Sequence, residues 1–478
     1  MKSVHFIGIC GSGMASLAGL CKAVGWKVTG SDTAFYPPMG EMIRSLDIPC
    51  RQGWDPKNIE KPDFVVVGNV CTKDNIEVQA AMEKNIPYFS LPQALQEFFL
   101  KNKKALVVCG THGKTTTTNL LAWVLTSAGK KPGFFAGGIG NNFGTNFALG
   151  EGEFFVLEGD EYSASFFDKG PKFAHFRPFG AILTSIEWDH IDIYPTVENF
   201  IGAFQKFFST LSKESILLAC AHDQQISKMT TAPAYRLQRY GQTTGDIRAK
   251  NIETSLEGTT FTLISGQEEI LFSIPLTGTA NLENTLAVAG LCRQLGLSWD
   301  EIRKGLSTFK GVKKRQEIKG VVKGITVIDD FAHHPTAIRV TIDALRKRFK
   351  GARLTIVFEP RSNTSRRNAH YKEYLQSFRG ANRVLLAPIY KPEKIPPAER
   401  LNTEQLANDL MRKGIEAFAI PDHDSILEFI IRSIGPGEVV AFFSNGDFNN
   451  IHEKLLQKLE RRKIFTDKKQ VRSIQIKK

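Results

Sequence analysis

Residues 105–129, ALVVCGTHGKTTTTNLLAWVLTSAG, constrain the fold more than any other stretch. An apolar strand runs into a glycine-rich polar turn, and a helix leaves it. A buried strand followed by such a turn and helix belongs to a parallel α/β sheet with a ligand edge at the strand C-termini. The turn ends Gly113-Lys114-Thr115, like the phosphate loop G-x-x-x-x-G-K-[ST]. The opening glycine is missing, because that position is Val108. The stretch is therefore either an incidental turn or a shorter loop of a particular class of ATP user. In the second case the backbone amides of Thr111 to Thr115 and the helix dipole wrap phosphate oxygens. Lys114 then reaches the β- and γ-phosphates, and the Thr115 hydroxyl binds Mg²⁺.

The alternation of strand and helix patterns extends along the whole chain and divides into three segments. In residues 1–101, VHFIGICGSGMASLAGLCKAVGWKVTGSD reads as a β-α-β unit ending at Asp32, with further strands at DFVVVGN and IPYFSLP. Residues 102–312 hold the phosphate-loop unit, the strands FFVLEGDE, GAILTSIEWDH and SILLACAHD, and the helices NLENTLAVAGLCRQLG and SWDEIRKGLSTF. Residues 313–478 repeat the pattern with ITVIDDF, LTIVFEP, RVLLAP, EAFAIP and EVVAFFSNGDF. The expected class is α/β, three domains in series: Rossmann-like, P-loop ATPase-like, and Rossmann-like again.

Several strands end in residues suited to chemistry. FFVLEGDEY offers Glu158, Asp160 and Glu161, with Glu158 and Glu161 favoured as oxygen ligands for a hard cation; a solvated strand end is the plainer reading. SIEWDHIDIY ends in Glu187, Asp189, His190 and Asp192. His190 suits a metal or a proton, although a lone histidine is more often structural. VIDDFAHHPTAI places Asp330, His333 and His334 before a helix start at Pro335; local capping by Asp330 is the alternative. FEPRSNT sets Arg361 on the next strand end, where a guanidinium suits a carboxylate. The N-terminal turn is G-x-x-G-x-G, not the dinucleotide pattern G-x-G-x-x-G, so a diphosphate of some other nucleotide fits as well.

The charge of +13 is uneven. Residues 461–478, RRKIFTDKKQVRSIQIKK, carry +7 of it, which reads as a solvated basic tail and disfavours a nucleic-acid partner. No stretch is apolar for the roughly 18 residues a membrane helix needs. The N-terminus lacks a signal peptide pattern, and the seven cysteines form no C-x-x-C pair. A cytoplasmic protein with reduced thiols is expected.

The stretches GICGSGM, GSD, GTHGKTTT, EGDEY, EWDHID, NLENTLA, GVKKRQE and DDFAHHPTAI, in this order, resemble the Mur ligase family, ATP-dependent amide-forming enzymes of peptidoglycan synthesis. That family carries the shorter loop GTHGKTT found at Gly110 to Thr116. The resemblance implies ATP and Mg²⁺ as cofactors, and UDP-N-acetylmuramate plus an amino acid or short peptide as substrates. It implies ATP contacts from Gly110, Thr111, His112, Gly113, Lys114, Thr115, Thr116, Asn281, Arg315 and Asp330. Catalysis would fall to Lys114, Glu158 and His190, and metal binding to Thr115, Glu158 and His190. Gly11, Ser12, Gly13, Met14 and Asp32 would hold the uridine diphosphate, and His334 and Arg361 would face the amine-bearing substrate. Further stretches, among them TGSDTAFYPPM, FFDKGPKF and FEPRSNT, are most similar to members whose acceptor is L-alanyl-γ-D-glutamyl-meso-diaminopimelate; L-alanine is the alternative acceptor. The acid of SNGDF, Asp447, stands where a small residue is expected. A monomer or weak dimer is expected.

Overall fold

The structure is a computed structural model, and it describes residues 1–190 and 193–461. Asp192 and the basic tail beyond Arg461 lie outside the described residues. The chain packs as two compact units, Met1–Val312 and Lys313–Lys478.

The first unit contains two sheets. The N-terminal sheet is wholly parallel, in the order Cys50–Gln52, Lys27–Asp32, Ser3–Ile7, Phe64–Val67, Tyr88–Ser90. Its inner strands are buried on both faces, which is why they read as unbroken apolar runs. Strand order reverses across Ser3–Ile7, which places the glycine turn after Ile7 at a switch point where α/β sheets bind ligands.

The middle sheet has ten strands. The phosphate-loop strand Lys104–Cys109 lies near its centre, between Gly180–Leu183 and Phe154–Gly159, all parallel. The sequence reading anticipated a parallel sheet only. The structure adds an antiparallel extension, Ile247–Thr254, Thr259–Ser265 and Glu268–Ile274. Burial alternates strictly along the second half of Glu268–Ile274, as expected of a sheet with one solvated face.

The first two segments were read as separate domains, and their sheets are separate. Their apolar side chains nevertheless form one continuous core. Ser90, closing the first sheet, donates to the buried carboxylate of Asp168 in the second segment. Tyr88 meets Phe167 edge to face at 4.9 Å. Glycine Gly13 in the helix Ser12–Ala23 lies against Leu91, where a Cβ would come within 2.7 Å of its side chain.

The second unit is built on a six-stranded sheet in the order Glu317–Val322, Ile325–Asp330, Val439–Phe443, Leu354–Phe358, Arg383–Leu386, Glu416–Ala419. All its pairs are parallel except the first, an edge strand the sequence reading did not include. A hydrophobic cluster covers each face.

The helix Lys114–Ser127, which leaves the phosphate loop, is fixed from outside by the helix Trp299–Ser307. A Ser298–Glu301 capping box starts that second helix. Gly305 lies inside it, although glycine costs about 1 kcal/mol relative to alanine in a helix. The reason is close approach: a Cβ there would lie 2.8 Å from the Val124 Cα. Gly305→Ala is therefore expected to destabilise by about 1–3 kcal/mol through overpacking, against its better helix propensity. Urea unfolding checks the sign, and a gain of about 1 kcal/mol would show that the contact does not govern.

Candidate functional site

The phosphate loop begins at Gly110, because the strand runs on through fully buried Val108 to Cys109. Gly110 has φ +125°, and a Cβ would stand 2.2 Å from Thr184 Oγ1 and within 3 Å of the Ser185 backbone. Gly113 has φ +82° and lies against Asn284, whose Oδ1 would be 2.8 Å from a Cβ. Both positions need glycine, and the absent opening glycine does not matter, since the bend occurs two residues later.

The loop is clamped to the strand end that follows Leu183. Thr111 N–H donates to the Ser185 carbonyl at 2.9 Å, and His112 N–H to Ser185 Oγ at 3.2 Å. Thr111 Oγ1 donates to the Glu187 carbonyl and accepts from Glu187 N–H, both at 2.9 Å. This corrects the expectation that every amide from Thr111 to Thr115 faces phosphate. The Thr111 and His112 amides are committed to Ser185. The donors left for an anion are those at the helix start around Lys114, Thr115 and Thr116, where helical amides have no intrahelical partner.

The three acids of EGDEY take separate roles. Glu158 Oε1 accepts from the Thr115 hydroxyl at 2.9 Å, and its Oε2 accepts from Gly137 N–H at 2.5 Å. Asp160 pairs with Lys172 at 2.9 Å. Glu161, 0% exposed, pairs with Lys114 at 2.8 Å through Oε2 and with His190 Nε2 at 3.0 Å through Oε1. Lys114 also donates to the Gly110 carbonyl at 2.6 Å. Burial pulls the Lys114 ammonium down, but Glu161 and Asp160 outweigh it and hold it above its ordinary value. Burial pushes the Glu161 carboxyl up, and Lys114 and His190 overcome this, leaving it lowered. Glu158 is raised, by burial first and then by the charge of Asp160.

Thr115 and Glu158 fit a small hard cation. Their oxygens are 2.9 Å apart, and adjacent ligands of an octahedral Mg²⁺ at about 2.0–2.1 Å are separated by about 2.9 Å. His190, expected beside them as a ligand, instead bonds Glu161. It has φ +55°, and Tyr194, whose hydroxyl donates to the Glu161 carbonyl, closes the same turn.

Asn281 opens the helix Thr279–Gln294 and donates to the Thr277 carbonyl at 2.9 Å. Its neighbour Asn284, which the sequence reading missed, is the one touching the loop at Gly113. The spacing of three residues in NLEN was the available signal, since it puts both amides on one helix face.

At the N-terminal turn, Asp32 is buried and serves the backbone. Its Oδ2 accepts from Cys10 N–H at 2.8 Å and its Oδ1 from Thr33 N–H at 2.7 Å. Gly11 caps the helix Ser12–Ala23, Ser12 is exposed, and Met14 is buried. Beneath the turn lies a second carboxylate that the sequence reading missed. Glu77, fully buried, accepts from Ser31, from Asn58 at 2.6 Å and from Asp55 N–H at 3.1 Å.

In the second unit, Asp330 is buried and accepts from Gln316 N–H and Ala332 N–H, each at 2.7 Å, so local capping is what it does here. The Arg315 guanidinium lies 4.3 Å from the Phe331 ring centroid. His334 caps the helix Pro335–Arg348, its Nδ1 accepting from Thr336 N–H at 3.4 Å. Arg361 pairs with Asp447 at 2.7 Å and Glu359 at 3.6 Å, and lies 4.1 Å from the Tyr390 ring centroid.

The His190–Glu161 pair predicts a pH-dependent stability. Burial lowers the His190 pKa, but the bond to Glu161 outweighs it, so the folded value lies above the ordinary 6.5. The stabilisation is complete below the unfolded pKa of about 6.5 and is lost as pH rises through the folded value. His190→Gln is expected to narrow its deficit in unfolding temperature as pH goes from about 6 to about 9. A deficit independent of pH would contradict this.

Comparison with known proteins matches this architecture along nearly its whole length. Residues 3–103 match the Mur ligase family catalytic domain, 108–292 the Mur ligase middle domain, and 314–446 the Mur ligase glutamate ligase domain. The chain is similar to the UDP-N-acetylmuramate–L-alanyl-γ-D-glutamyl-meso-2,6-diaminoheptandioate ligase of Escherichia coli K12, at 35% identity over 96% of this chain and 98% of the relative. It is also similar to the UDP-N-acetylmuramate–L-alanine ligase of Clostridium kluyveri, at 34% identity over 95% and 98%. Among solved structures, a murein peptide ligase from Psychrobacter arcticus superposes with a TM-score of 0.72 at 30% identity, over 97% of this chain and all of that one. The shortened phosphate loop, the acids behind it and the three α/β sheets are thus those of the Mur ligase family, to which this chain belongs as an ATP-dependent amide ligase.

Proposed function

We propose that this protein joins UDP-N-acetylmuramate to the amino terminus of L-alanyl-γ-D-glutamyl-meso-diaminopimelate, with cleavage of ATP to ADP and phosphate, in peptidoglycan recycling. The observation that carries the choice of acceptor is Arg361. Its guanidinium, flanked by Glu359, Asp447 and Tyr390, offers a site for a carboxylate beside acids that suit an ammonium group. A peptide bearing a distal amino-acid centre uses both; free L-alanine has no second centre to present. L-alanine remains the second reading, supported by the 34% identity to the Clostridium kluyveri enzyme.

In this reading the muramate carboxylate attacks the γ-phosphorus of ATP, giving an acyl phosphate and ADP. The acceptor amine then attacks the acyl carbon, and phosphate leaves. The first barrier is repulsion between anions, so positioned positive charge supplies most of the catalysis. Lys114 exchanges Glu161 for the β- and γ-phosphates, and the helix start at Gly113 to Thr116 receives the phosphate oxygens. Glu161 keeps its bond to His190 Nε2 as the lysine leaves it. Thr115 and Glu158, with a neutral His190 as a further ligand, would hold Mg²⁺, which would supply neutralising charge. Asn281 is assigned to the adenine, Arg315 and Asp330 to the ATP phosphates and ribose, and His334 and Arg361 to the amine-bearing substrate. The turn from Gly11 to Met14, braced by Asp32, is assigned to the uridine diphosphate. A UDP-linked substrate suits a cytoplasmic enzyme, and we take it to act as a monomer or weak dimer.

Phosphate release from ATP, Mg²⁺ and UDP-N-acetylmuramate is the test, with the tripeptide or L-alanine as acceptor and the product mass measured. Turnover with the tripeptide is expected; turnover with L-alanine alone would overturn the acceptor. Lys114→Ala is expected to lower kcat by about 10²–10³ or more. An unchanged kcat would remove Lys114 from the mechanism.

A further inference from the structure

Away from the phosphate loop, three side chains with metal-binding atoms meet at the end of the strand Ile216–Cys220. Cys220 Sγ lies 3.3 Å from His222 Nδ1, and the same nitrogen lies 3.4 Å from Glu283 Oε1. All three ligand atoms fall within 4.8 Å of one another. We propose that Cys220, His222 and Glu283 bind a thiophilic divalent cation of the zinc class, leaving its fourth position open. This goes beyond the ligase reading and does not depend on it.

A cysteine, a histidine and an acid also form proton relays, but a relay uses both ring nitrogens, one toward the thiol and the other toward the acid. Here the sulfur lies nearer to Nδ1, at 3.3 Å, than to Nε2, at 3.6 Å, and the carboxylate also approaches Nδ1, so the three groups gather about one nitrogen. The two edges at the nitrogen, 3.3 and 3.4 Å, lie close to those of a tetrahedral ion. Zn–S of about 2.3 Å and Zn–N and Zn–O of about 2.0–2.1 Å give S···N and N···O edges of about 3.6 and about 3.3 Å. A thiolate and a carboxylate with a neutral imidazole carry charge −2, which a divalent cation cancels.

The ligands stand on fixed elements. Cys220 ends a strand within the sheet. The following turn is held by Asp223, which accepts from Ile186 N–H at 2.8 Å and Ile226 N–H at 2.9 Å. Glu283 projects from the helix Thr279–Gln294. Cys220 is buried while the His222 side chain is 57% exposed, which gives an ion a path in from solvent. A thiolate ligand also separates this site from the all-oxygen pair Thr115–Glu158, since soft sulfur selects zinc over magnesium.

Co²⁺ is the probe, added to the untagged full-length protein in excess Mg²⁺ so that oxygen-rich sites are filled. One equivalent is expected to produce a thiolate-to-cobalt charge-transfer band and the visible bands of tetrahedral cobalt, and Zn²⁺ is expected to bleach them one for one. Cys220→Ser should abolish the charge-transfer band. His222→Ala, at an exposed position that should not disturb folding, should weaken Co²⁺ binding at least about tenfold, and Glu283→Gln should weaken it as well. No charge-transfer band at saturating Co²⁺ would overturn the proposal. So would a band that survives Cys220→Ser, or an affinity unchanged in both His222→Ala and Glu283→Gln.

Discussion

The organisation of the candidate site rests on an ion pair between Lys114 and Glu161, 2.8 Å apart at the C-terminal ends of inner strands of the middle sheet. Glu161 is wholly buried, and a buried pair contributes little net stability, because desolvating both charges offsets most of their attraction. Its value lies in what it keeps in place. The lysine stays charged, reaches back to the Gly110 carbonyl, and stands beside the helix start where an anion would bind. The carboxylate in turn holds His190. In the proposed reaction a phosphate would replace Glu161 at the lysine, while His190 keeps its bond to the carboxylate.

Around that pair the backbone has little freedom. Gly110 and Gly113 adopt positive φ and pass so close to Thr184, Ser185 and Asn284 that no side chain fits. Ser185 binds two loop amides, and Thr111 exchanges two hydrogen bonds with Glu187. The loop is therefore shaped before any ligand arrives, which is the condition for electrostatic catalysis. The same economy holds at the N-terminal turn. Asp32 is spent on bracing the Cys10 and Thr33 amides, so its contribution to any ligand there comes through the shape of the turn.

Much of the site was legible because its determinants are local. Gly113, Lys114 and Thr115 are consecutive, and Glu158 ends an apolar strand; both features survive in a linear reading. The His190–Glu161 bond spans 29 residues and the Lys114–Glu161 pair 47, and neither leaves a periodic trace. Asn284 was missed beside Asn281 because a helix face is visible in spacing, whereas its neighbour across a gap is not. The antiparallel strands Thr259–Ser265 and Glu268–Ile274 were not legible as strands, since half-solvated strands alternate apolar and polar residues and form no unbroken apolar run.

By itself, the sequence determined the α/β class, the three sheets, the strand-turn-helix unit around Gly110 to Thr116 and the family. All of these follow from short-range patterns: apolar runs of strand length, glycines at bends, and motifs of fixed spacing. Tertiary structure alone decided which acid serves which partner. Glu158 goes to Thr115, Asp160 to Lys172, and Glu161 to Lys114 and His190. Three acids within four residues are nearly equivalent as sequence. They become distinct only when strand order and register bring a different partner to each, and that choice is made by long-range packing.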